Sequence, residues 1–77
     1  MVHIDTPQTL GATLRAARKH LQLTQSDLAL AAGVGVRFIV DLEAGKPTVR
    51  LAQVLRVIDA LGGEVRITGL GGTNHDA

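Results

Sequence analysis

Residues able to do chemistry are few in this chain, and their spacing does not suit catalysis. There is no cysteine, which removes thiolate nucleophiles, disulfide frameworks and thiolate metal sites. Ser26 is the single serine. It lies inside Thr24-Gln25-Ser26-Asp27, a capping box whose hydroxyl and carboxylate satisfy the first free backbone donors of a helix. His3, His20 and His75 have no metal-ligand spacing. Gly45-Lys46-Pro47-Thr48 has the Gly-Lys pair of a phosphate-binding loop. Pro47, however, stands where a Ser or Thr is required, and Val40 where the leading Gly is required. Asp59 and Glu64 are too isolated for paired-carboxylate catalysis. The expectation is a protein that is not an enzyme and uses no metal and no cofactor.

The remaining chemistry is charge. Lys and Arg nearly balance Asp and Glu over the chain, for a formal net charge of +1. The middle is nonetheless basic, with Arg15, Arg18, Lys19, Arg37, Lys46 and Arg50 against Asp27, Asp41 and Glu43. Such a patch favours a polyanionic partner, although weakly on its own. No apolar run approaches a membrane span, and residues 1–15 lack a signal-peptide core, so a cytoplasmic location with no membrane partner is expected.

A chain of 77 residues is one small domain. Domains this short bury only about 60% of their unfolded surface, and without disulfides oligomerisation is the simplest way to extend the core. The elements are readable from their punctuation. Thr6 followed by Pro7 marks a helix start, and Leu10, Leu14, Ala17 and Leu21 form one apolar stripe. A second helix opens at the Thr24 capping box, shows Leu28, Ala31 and Ala32 on its apolar side, and stops at Gly33. The third spans residues 36–44 and ends at Gly45. In the fourth, Thr48 is the expected cap, and Leu51, Val54, Leu55, Ile58 and Leu61 repeat at helical spacing up to Gly62-Gly63. Glu64-Val65-Arg66-Ile67-Thr68 then alternates with period two. It reads either as a frayed extension or as a short strand paired with the same strand of a second copy, since no other strand is visible in the chain. The domain plan is a flexible N-terminus over residues 1–6, a helical domain over 7–61, a dimerisation strand over 62–68 and a flexible tail over 69–77. Leu55, Ile58, Val65 and Ile67 are the candidate dimer contacts. The fold class is all-α, a compact four-helix domain with that short C-terminal β-strand.

The most informative constellation is helix, short turn, helix. With Gln25 as first position, Ala29 is fifth, Gly33 ninth, Ile39 fifteenth and Leu42 eighteenth. Ala29 must be small because two helices cross there, Gly33 makes the turn, and Ile39 and Leu42 fill the wedge. The stretch Leu23-Thr24-Gln25-Ser26-Asp27-Leu28-Ala29, then Ala32-Gly33-Val34, Ile39, Leu42-Glu43 and Gly45-Lys46 resembles the helix-turn-helix of phage-repressor and Cro-type (XRE family) regulators. The resemblance covers residues 10 to 61. It implies binding to double-stranded DNA, with the second helix of the motif entering the major groove. It also implies that Arg18, seven residues before Gln25, pairs with Glu43 as a structural ion pair.

At about 100° per residue, Ile39 and Leu42 define the inward side of that second helix. Val36, Arg37, Val40 and Asp41 are then the candidate base contacts. Arg37 suits a guanine edge, or failing that a phosphate; Val36 or Val40 suits a thymine methyl; Asp41 could accept from cytosine. Phe38 belongs to the packing. Thr24, Gln25 and Ser26, at a helix N-terminus, and Lys46, after the recognition helix, are the candidate phosphate contacts. The alternating segment after Ala60-Leu61-Gly62, in place of a fifth helix, and the Gly45-Lys46-Pro47-Thr48 link are similar to HipB-like antitoxins. That narrower resemblance implies a homodimer on a near-palindromic operator, a HipA-like kinase toxin as partner, and autorepression of a shared operon. A stand-alone repressor and a protein-interaction adaptor on the same fold are the alternatives.

Overall fold

A computed structural model describes residues 2–71. Four helices occur in the order α1 (Pro7–His20), α2 (Gln25–Ala32), α3 (Val36–Glu43) and α4 (Leu51–Ala60). The first two starts follow their capping chemistry. The Thr6 hydroxyl accepts from the Thr9 backbone N–H at 3.0 Å, with Pro7 in the first turn. At α2 the box is reciprocal: Thr24 Oγ1 accepts from Asp27 N–H, and Asp27 Oδ2 accepts from Thr24 N–H, both at 3.0 Å. Gly33 ends α2 at φ +70°, a left-handed conformation that a Cβ would strain, and its N–H returns to the carbonyls of the last turn. Three residues later, at Val36, α3 begins. α2 packs against both α3 and α4, and α1 packs against α3.

The core is Leu14, Leu28, Ala29, Ile39, Leu42, Val54 and Val57, with Leu10, Phe38, Ile58 and Leu61 among the half-buried residues packed against it. Ala29, Ile39 and Leu42 therefore occupy the crossing and the wedge as their spacing requires. Other expectations need correction. Ala31 and Leu21 are exposed, while Ala29 takes the inner position on α2. α4 starts after Arg50 rather than at a Thr48 cap, and no side chain caps it. Its apolar residues span an arc of about 160° at about 100° per residue, too wide for one contact. The core takes the half centred on Val54 and Val57, and leaves Leu51 and Leu55 exposed.

The expected β-strand over residues 64–68 is absent. These residues carry no ladder, and no strand occurs among the described residues. A lone extended segment has nothing to pair its backbone groups with, so the alternation of Val65 and Ile67 cannot by itself make a strand. Residues 72–77, with His75 and most of the expected flexible tail, lie outside the described residues.

Gly11 is a position the sequence pattern did not single out. It lies in the middle of α1, buried, where a Cβ would run into the carbonyl oxygen of Leu42 and come within 2.8 Å of that of Glu43. The backbone of α1 thus rests directly on the C-terminal end of α3. Glycine normally costs about 1 kcal/mol in a helix interior relative to alanine. Here Gly11→Ala should instead destabilise the domain by about 1–3 kcal/mol, because backbone carbonyls cannot move aside. Urea denaturation of the two proteins checks the sign.

Candidate nucleic-acid interface

The wedge filled by Ile39 leaves the opposite face of α3 in solvent. Val36 is 43% exposed and Val40 37%. The Arg37 side chain is 86% exposed. Three of the four candidate base-contact residues therefore share an outward face, on a helix whose inner face is locked into the core. Phe38 is half-buried against that core, as packing requires. Asp41 is different. Its side chain is 23% exposed, and its two carboxylate oxygens face cations: Arg37 Nε is 3.2 Å from Oδ1 and Lys46 Nζ is 3.5 Å from Oδ2.

The candidate phosphate contacts divide in the same way. Thr24 and Ser26 are exposed at the N-terminus of α2, where free backbone N–H groups and the helix dipole favour an anion. Lys46 is exposed beyond α3. Gln25, by contrast, is half-buried and donates from Nε2 to Glu43 Oε1 at 3.2 Å. Its amide is thus part of a buried cluster rather than a free arm.

That cluster centres on Arg18. Its Nε and Nη2 donate to Glu43 Oε2 and Oε1 at 2.7 and 2.9 Å, and Nη1 donates to the Leu23 carbonyl at 2.7 Å. The Arg18 and Glu43 side chains are 9% and 3% exposed. The ion pair implied by the resemblance is present, and it is buried. Burial pushes the Glu43 carboxyl upward, but the hydrogen bonds from Arg18 and Gln25, with the Arg18 and Arg15 charges, outweigh it and hold Glu43 below the usual carboxylate range. Arg18 is raised in turn by its hydrogen bond to Glu43, against the lowering effect of burial. α1, the α1–α2 turn, α2 and α3 are thereby joined at one point. A further tie, Arg56 Nη1 to the Gly33 carbonyl at 3.4 Å, connects α4 to the turn of the motif. Nothing in the sequence singled out that contact.

Residues 9–65 match the helix-turn-helix domain family. This chain belongs to that family. The helix-turn-helix chain is 52% identical over 68 residues to the uncharacterized HTH-type transcriptional regulator y4mF of Sinorhizobium fredii (strain NBRC 101917 / NGR234), covering 88% of this chain and 90% of the relative. The family is one of DNA-binding transcriptional regulators rather than enzymes. Its fold here is that of HipB. The solved HipB-O4 20mer complex superposes with a TM-score of 0.83 at 20% identity, covering 91% of this chain and 99% of that one. The HipA-HipB-O2-O3 complex gives 0.83 at 20% identity over the same shares. A structure named MDT Protein gives 0.81 at 21% identity, covering 91% and 99%. Among the described residues, no group of His, Asp and Glu is placed to hold a metal ion, and no helix is long and apolar enough to cross a membrane.

The buried pair yields two expectations. Arg18→Met or Glu43→Leu alone should cost about 3–5 kcal/mol, since each strands a buried charge, while the double variant should cost much less than the sum. Denaturant titrations of all four proteins close this cycle, and additive losses would refute the coupling. The second concerns acid. Because the folded-state pKa of Glu43 lies below its unfolded value, its contribution is complete above about pH 4.3, the ordinary glutamate value, and is lost as pH falls through the folded pKa. As pH falls from 5 toward acid unfolding, stability should therefore fall less steeply in Glu43→Gln than in the parent, as thermal melts at stepped pH would read.

Proposed function

We propose that this chain is a sequence-specific repressor acting as a homodimer on a near-palindromic operator, and that it is the antitoxin of a HipA-like kinase toxin whose shared operon it autoregulates. One observation carries the DNA-reading part. Val36, Arg37 and Val40 stand on the solvent face of α3 while Ile39 and Leu42, on the other face, are fixed in the core. A rigid helix with an exposed, apolar-and-cationic face fits the major groove, where thymine methyls and guanine acceptors lie side by side. Thr24, Ser26 and the backbone N–H groups at the start of α2, together with Lys46, are the phosphate contacts that set its register. Repression follows by occlusion, as two copies cover adjacent half-sites.

The homodimer rests on apolar surface that one chain cannot bury. Leu51 and Leu55 on α4, and Val65 and Ile67 beyond it, are 69%, 46%, 54% and 73% exposed. Ile58, half-buried, joins this surface to the core. Across a two-fold axis the segments over residues 64–68 would supply each other with the pairing that a single chain lacks. The antitoxin reading is supported by the likeness of the fold to HipB, which has been solved together with HipA.

A duplex carrying the promoter region upstream of the chain's own gene tests the proposal. The parent should retard it, with affinity falling steeply as salt rises. Lys46→Ala should weaken binding to all sequences and lower the salt slope by about 1. Leu55→Glu with Ile67→Glu should give a monomer in sedimentation and abolish operator binding, since half-sites about 34 Å apart need two joined copies. Retention of the dimer by that variant would refute the assigned interface, and no binding to any duplex would turn the reading toward a protein-interaction adaptor. Co-expression with a HipA-like kinase encoded beside it should give a stable complex; its failure leaves a stand-alone repressor.

A further inference from the structure

We propose that Asp41 does not read a base but is a positioning residue, which orients Arg37 for a guanine and at the same time offsets part of the charge that Arg37 and Lys46 offer to any phosphate. The inference rests on the DNA-binding reading above and names the specificity device within it. A guanidinium on an exposed helix face has many rotamers, and in the free protein nothing in the core reaches Arg37 to select one. Asp41, one helical turn on, does. The closest approach is through Nε, at 3.2 Å from Oδ1. The contact is an ion pair: among the described residues neither Nε nor the two terminal nitrogens of Arg37 makes a hydrogen bond. Those two nitrogens form the end-on fork that matches guanine O6 and N7. A carboxylate whose nearest approach is to Nε leaves that fork free on a side chain that is 86% exposed.

A second cation engages the other carboxylate oxygen. Lys46 N–H donates to the Asp41 carbonyl at 3.0 Å, which folds the loop after α3 back onto the helix and brings Lys46 Nζ to 3.5 Å from Oδ2. With one oxygen facing Arg37 and the other facing Lys46, Asp41 would have to give up a cation to accept from cytosine. Its half-buried side chain, 23% exposed against 86% for Arg37, also sits back from the surface that meets a groove. The negative charge of Asp41 offsets part of the attraction that both cations exert on any phosphate.

The experiment is selection from a pool of duplexes with a randomised core of about 20 base pairs, long enough for two half-sites. The full chain, Arg37→Ala, Asp41→Ala and Asp41→Asn are selected in parallel, and thermal melts establish that each is folded. The parent should enrich a guanine at symmetry-related positions, and Arg37→Ala should lose preference there alone. A bidentate Arg–guanine pair discriminates by about 5- to 150-fold. Asp41→Ala should lose most of that discrimination at the same positions, while its affinity for unselected duplex rises and its salt slope steepens as two cations are released. Asp41→Asn, which keeps the side-chain shape but carries no charge, should lose the ion pair as Asp41→Ala does, with a similar loss of guanine preference and a similar gain in non-specific affinity. Several outcomes overturn the inference. Unchanged guanine preference in Asp41→Ala would do so, as would a change at a base pair that Arg37→Ala leaves alone, which would make Asp41 a base contact. No base preference lost in Arg37→Ala makes Arg37 a phosphate contact. Failure of the parent to bind any duplex defeats the DNA-binding reading itself, and the inference with it.

Discussion

The buried Arg18–Glu43 pair is the constraint on which the arrangement of the motif depends. A guanidinium and a carboxylate withdrawn from water cost several kcal/mol each unless their hydrogen-bonding capacity is filled. Here it is filled from separate parts of the chain: Glu43 from α3, the Leu23 carbonyl from the α1–α2 turn and Gln25 from the start of α2. Any rotation of α3 relative to α2 breaks at least one of these bonds in a place where water cannot replace it. The apolar core is less demanding. Leu28, Ile39 and Leu42 each contribute about 1.5–3 kcal/mol by burial, but such contacts tolerate small shifts in angle. Burial drives the helices together, and the ion pair fixes how they sit.

Two backbone features work to the same end. Gly33 turns the chain within the space that α3 needs, and Gly11 lets α1 lie directly on the carbonyl end of α3. The consequence for function is orientation. A short helix such as α3 could not persist alone. Held at its C-terminal end by Glu43 and Gly11, and along one side by Ile39 and Leu42, it presents the other side as a fixed surface. Affinity for DNA comes from charge and can be distributed over the molecule, whereas discrimination between bases needs donors placed to within fractions of an ångström. The structure spends its buried polar interactions on that placement.

The same economy accounts for the apolar surface left over. α4 carries a wider apolar arc than the core can cover, and Val65 and Ile67 continue it beyond Gly63. A domain this small has little core with which to cover such surface, and this is the surface on which the proposed dimer rests. The outward face of α3 and the apolar face of α4 with its extension thus both lie in solvent.

Local chemistry determined most of the elements. Thr6-Pro7, the Thr24–Asp27 box and Gly33 act over one turn of helix, so their meaning does not depend on distant residues. The spacing of Ala29, Gly33, Ile39 and Leu42 likewise encoded the motif, because a fixed crossing angle imposes fixed intervals. Other features were decided by the tertiary structure alone. Which half of the α4 arc enters the core depends on where α2 lies, and the periodicity of Leu51, Val54, Leu55 and Ile58 is the same for either half. The alternation over residues 64–68 is a statement about faces, and a strand further requires a ladder that one chain does not contain. Gly11 looks like a weak point in a helix until the carbonyls of α3 are placed against it. Gln25 and Asp41 have the residue types of DNA contacts, and it is their neighbours, Glu43 for one and Arg37 with Lys46 for the other, that engage them. Those neighbours come from other elements or other turns, so the partners of these side chains were set by the packing that brought the charges together.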